Sequence, residues 1–77
     1  MNDMAATLQD AALRIMRQDG FKGTVHVRPE SVKIETHGGA KTPTAVLEAT
    51  YKGTTVLYSL RLIRWSTLRL KRLPAAA

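Results

Sequence analysis

The stretch Leu47 to Leu60, LEATYKGTTVLYSL, allows one strand pairing and so fixes much of what surrounds it. A two-residue turn at Lys52 and Gly53 sets Tyr51 opposite Thr54, Ala49 opposite Val56, Leu47 opposite Tyr58 and, one step further, Ala45 opposite Leu60. Side chains alternate between the faces of a strand, so these residues, with Leu62, form one apolar face. The other face reads Val46, Glu48, Thr50, Thr55, Leu57, Ser59, Arg61 and Ile63. A slip of one residue would send Leu47, Val56, Tyr58 and Leu60 to solvent, so both strands specify the same register. Gly53 suits the positive φ that a tight hairpin needs at its second turn position.

A sheet with one apolar face needs a cover, and the chain offers one. From residue 3 to 19, Met4, Leu8, Ala11, Ala12, Ile15 and Met16 recur at the spacing that stacks side chains on one face of a helix. Asn2 or Asp3 can cap its start and Gly20 can end it. The alanines in this stripe let the helix lie close to a sheet, and no other segment has the pattern of a second helix.

Between helix and hairpin, Thr24 to Arg28 and Val32 to Thr36 flank Pro29 and Glu30. This predicts a first hairpin over residues 24–36, with Val27 facing Val32, Val25 facing Ile34, and His26, Lys33 and Glu35 on the opposite side. The following HGGAKTP, residues 37–43, has two glycines, a proline and no large apolar residue, and predicts a flexible loop. A phosphate-binding loop would need those glycines to lead into a helix, whereas a strand follows.

The second hairpin is expected over 44–63, and 64–77 is left as a basic C-terminal segment. There Arg61, Leu62, Ile63, Arg64 and Trp65 break strict alternation, while Leu68 to Lys71 restores it. A turn at Ser66 and Thr67 would add a fifth strand but would place Arg64 opposite Arg69, a disfavoured like-charge pair. The alternative is a short helical turn capped by Ser66 and ended by Pro74. Ala75 to Ala77 read as a frayed end. The fold class predicted is α+β in two layers, one N-terminal helix on an antiparallel sheet of four strands, with the fifth strand or short helix as alternatives, all within one domain.

At 77 residues the core is small, and without cysteine no disulfide or thiolate metal site supports it, so a second copy of the chain is a natural source of extra burial. No run approaches the roughly 18 apolar residues of a membrane span, and MNDMAATLQD lacks the order of a signal peptide. A cytoplasmic protein without membrane contact is the expectation.

Charge is distributed unevenly. The formal net charge is +6, and all acids (Asp3, Asp10, Asp19, Glu30, Glu35, Glu48) precede residue 49, whereas Lys52, Arg61, Arg64, Arg69, Lys71 and Arg72 follow without one. Such asymmetry points to a polyanionic partner, either nucleic acid or an acidic protein surface. The candidate binding residues are Arg61, Arg64, Arg69, Lys71 and Arg72, with Trp65 as a stacking side chain. Val46, Leu57 and Ile63, on the uncovered face, are candidates for a protein or dimer contact. Tyr51, Tyr58 and Phe21 read as core.

No catalytic spacing is present, and no cofactor or metal is expected. His26 with Lys33 and Glu35 offers the residue types of metal-free RNA cleavage, which makes an RNase the weakest of three readings. The leading one is a non-catalytic module presenting a basic surface to nucleic acid or a nucleoprotein. The other is a protein-directed inhibitor or adaptor from a phage or mobile element, anti-CRISPR-like by analogy of class, that occupies a site on a larger complex.

Overall fold

A computed structural model describes residues 3–64 and 66–74, with the backbone alone for His37. The expected roles of Asn2, Trp65 and the last three alanines lie outside those residues. Helix α1, Asp3–Gln18, carries the anticipated stripe, and Ala5, Leu8, Ala11 and Ala12 are buried beneath it. The Phe21 N–H reaches the Met16 carbonyl and the Gly20 N–H the Arg17 carbonyl, closing the helix in a Schellman motif. Asp3 sits within the first turn, its carbonyl accepting from Thr7 Oγ1 at 2.9 Å.

Five strands form one antiparallel sheet: β1 Thr24–Val27, β2 Lys33–His37, β3 Ala40–Tyr51, β4 Thr54–Arg64 and β5 Thr67–Arg72. Strands β3 and β4 pair in the register read from the sequence, Tyr51 with Thr54 through Ala45 with Leu60. Their inward residues meet α1, and Leu8, Leu47, Leu60 and Val27 are the largest side chains removed from solvent. Each such burial contributes about 1.5–3 kcal/mol. Alanines 5, 12, 45 and 49 keep helix and sheet close.

The first hairpin does not form. Strand β1 pairs with the C-terminal half of β3 (Val25 with Ala49, Val27 with Leu47), and β2 pairs with its N-terminal half (Lys33 with Thr44, Glu35 with Thr42). The two short strands therefore lie end to end along one neighbour, and Pro29–Ser31 between them makes a 3-10 turn. That turn is stitched to β3: Arg28 N–H donates to the Val46 carbonyl, and Ser31 Oγ accepts from the Val46 N–H at 2.8 Å. The alternation of Val25, Val27 and Val32 suits two strands facing a common third as well as it suits two facing each other, and β3 wins because it offers Ala49 and Leu47 in register. Ile34, expected against Val25, is 57% exposed opposite Pro43.

Residues 37–43 are correspondingly not a flexible loop. Gly38 and Gly39, at φ +57° and +85°, make the two-residue turn of a β2–β3 hairpin, a turn that needs positive φ at both positions. Ile34, Thr36, Ala40 and Lys41 are exposed, so this end of the sheet lies beyond the cover of α1 and carries no apolar alternation to read.

Where the β1 edge meets the helix it is sealed by side chains. Gln9 Oε1 accepts from the Val27 N–H at 3.0 Å, and an Arg17 Nη donates to the Gly23 carbonyl at 3.1 Å. Gly23 lies so close to β3 that a Cβ there would sit 2.0 Å from the Thr50 carbonyl oxygen.

At the other edge the fifth strand forms and the helical alternative is overturned. The register shifts between Leu62 and Arg64, so Arg64 lies opposite Thr67 and not Arg69. The consecutive apolar pair Leu62 and Ile63, which breaks alternation in the sequence, marks this bulge. One like-charge pair remains in the shifted register, Arg61 opposite Arg69.

Candidate functional site

Strand alternation that delivers Leu60 and Leu62 to the core delivers Ser59 and Arg61 to the opposite, uncovered face. Following cross-strand partners, one row runs from Lys33 on β2 through Thr44 on β3 and Arg61 on β4 to Arg69 on β5. At about 4.8 Å per strand the row spans roughly 14 Å. The adjacent row places Val46, Ser59 and Lys71 side by side. Three cations of the C-terminal charge cluster thus meet on this face, joined by Lys33 from the N-terminal half of the chain.

Glu35, Thr44, Ser59, Arg61, Arg69 and Lys71 enclose a depression of about 120 Å³. Thr44 Oγ1 donates to Glu35 Oε1 at 2.8 Å, which fixes the carboxylate on the rim. Arg61 Nε is buried and has no acceptor among the described residues. Arg61, Arg69 and Lys71 have no ion-pair partner among the described residues, whereas Glu48, the other acid of this face, is engaged 2.5 Å from Arg28 Nε.

The remaining sequence candidates are dispersed. Arg64 is exposed at the bulge, Arg72 lies opposite Tyr58 on the helix-facing register, and Trp65 is outside the described residues. Val46 and Leu57 are diagonal neighbours on the open face, but Ile63, 43% exposed, is separated from them along β4 by Ser59 and Arg61. His26 lies opposite Glu48, not Lys33, so the grouping proposed for RNA cleavage does not assemble. No group of three or more His, Asp or Glu is placed to hold a metal ion among the described residues.

Phe21, Tyr51 and Tyr58 belong to the helix side. Phe21 and Tyr51 stack tilted with ring centroids 6.4 Å apart, and Lys52 Nζ lies 5.3 Å from the Tyr51 ring centre. Phe21 and Tyr58 pack at the margin of the core as read, but Tyr51 is 45% exposed. With Ala49, Val56 and Tyr58 they line a broader groove of about 380 Å³ at the β3–β4 turn. Sequence reading placed Ser59 on the face of Arg61 but missed Lys33, Glu35 and Thr44 as parts of the basic face. Counting outward from a Gly38–Gly39 turn would have found all three, because it sets Lys33 opposite Thr44.

No helix among the described residues is long and apolar enough to cross a membrane. The chain matches no known family model, no curated protein and no solved structure.

Proposed function

We propose that this protein is a non-catalytic module that binds nucleic acid through the open face of its sheet, contacting the phosphate backbone and not the bases. The observation that carries this reading is the row Lys33, Arg61 and Arg69 with Lys71 beside it, cations held on a rigid sheet without carboxylates paired to the three on β4 and β5. Backbone contacts of this kind supply affinity and position without sequence information. Among the described residues the aromatic side chains, Phe21, Tyr51 and Tyr58, lie off that face, which supports backbone contact there, since base recognition on a sheet depends on exposed aromatics.

If these four cations each neutralise one phosphate of a duplex, log affinity falls with log salt with a slope of about −3.5. Replacing Arg61, Arg69 and Lys71 together by Ala reduces the slope by about 3, whereas replacing Arg64 and Arg72 leaves more of it in place. Absence of binding to duplex and single strand at low salt removes the reading. A protein-directed inhibitor or adaptor is the second reading, supported by β5, an outer strand lined by Arg69, Lys71 and Arg72 that suits an acidic extended segment. It predicts that one host complex co-purifies with the tagged protein.

A further inference from the structure

Burial of a donor without an acceptor is uncommon in folded proteins and asks for an explanation. Arg61 Nε is such a donor, at the centre of the sheet, on a side chain that borders the depression of the open face. Its setting makes an internal partner scarce. Directly opposite on β5 is Arg69, a second cation; directly opposite on β3 is Thr44, whose hydroxyl donates to Glu35 and makes no hydrogen bond with Arg61 Nε. Apart from the Glu35 carboxylate, which Thr44 holds at the rim, the lining is made of donors: two guanidinium groups, the Lys71 ammonium group and the Ser59 hydroxyl. A cavity of roughly 150 Å³ admits a benzene molecule, so about 120 Å³ is sufficient for one phosphate group.

The geometry points to a seat for a single phosphate group between β3, β4 and β5, in which Arg61 is the residue that recognises the oxyanion and Arg69, Lys71 and Ser59 complete its coordination. This deepens the nucleic-acid reading and rests on it for the source of the phosphate, a backbone diester or a strand's terminal phosphate. Arginine is required and not merely positive charge, because its planar fork matches two phosphate oxygens where lysine offers a point charge. Glu35 on the rim opposes the anion and limits its affinity.

The test is a pair of charge-conserving variants, Arg61→Lys and Arg72→Lys, whose folding is checked by the amide spectrum of the full chain. A general positive patch treats both alike. The seat predicts that Arg61→Lys weakens oligonucleotide binding about tenfold or more at fixed salt, while Arg72→Lys leaves it unchanged. Inorganic phosphate should move the Arg61 Nε–H resonance where chloride at equal ionic strength does not, and Glu35→Gln should tighten that phosphate binding. Equal responses to phosphate and chloride, or unchanged oligonucleotide affinity in Arg61→Lys, would overturn the seat even if nucleic acid still binds. Phosphate binding without any oligonucleotide binding would instead retain the seat and remove the nucleic-acid reading. A 5′-phosphorylated strand binding more tightly than its 5′-hydroxyl twin assigns the seat to a terminal phosphate, and equal binding assigns it to the backbone.

Discussion

Leu60 and Arg61 are joined by one peptide bond and face opposite environments. Leu60 is completely removed from solvent between α1 and the sheet, among Leu8, Leu47 and Val27. Arg61 lies on the open face with a cation across from it and a buried donor left unused. On the covered face a substitution by a smaller or polar group costs packing; on the open face one native pair, Arg61 with Arg69, works against the fold, because like charges directly opposite are destabilising. That difference separates what holds this domain together from what it presents to a partner. A domain of 77 residues has only about 4–12 kcal/mol of stability in total, and the repulsive pair takes a few tenths of a kcal/mol from it.

Three substitutions sharpen the contrast, beginning with the largest. Leu60→Ala should destabilise by about 2–5 kcal/mol in urea unfolding, by lost transfer energy and a residual cavity. A smaller loss would mean that the face under α1 is loosely packed. Gly23→Ala should cost about 1–3 kcal/mol, because its Cβ would meet the Thr50 carbonyl oxygen and force β1 away from β3. Full stability in that variant would show that β1 is not held against β3 as described. Arg69→Ala should act in the other direction, raising stability by a few tenths of a kcal/mol and making it less responsive to added salt, which screens the repulsion in the native protein. If it destabilises in thermal unfolding at low salt, the two faces do not differ as argued.

The legible part of the fold coincides with the covered part. The β3–β4 register and the helical stripe were readable because each has a buried side to write alternation or periodicity into the chain, down to the pairing of Leu47 with Tyr58. Beyond α1 the signal stops: Ile34, Thr36, Ala40 and Lys41 are exposed, and a strand segment with no buried side resembles a loop in sequence. The first hairpin was misread for a different reason. Two strands docking on the same neighbour and two docking on each other ask for the same valines. For the site, the C-terminal cluster of positive charge was legible, but its division was not. Only the bulge at Leu62 to Arg64 and the Gly38–Gly39 turn decide that Arg61, Arg69 and Lys71 gather with Lys33 while Arg72 turns to the other register.

The broken edge has a consequence for the order in which the chain assembles. Strands β2 to β5 follow one another with only two residues between consecutive strands, so the pairings in that part of the sheet are local in sequence. Strand β1 must instead find β3 across the intervening β2 hairpin, Val27 meeting Leu47, and it brings α1 with it through the Gln9 and Arg17 contacts. Closing that longer loop costs entropy that only the helix-to-sheet core repays. The N-terminal third of the molecule thus supplies the long-range contacts of the fold, and the basic row belongs to the locally connected strands β2 to β5.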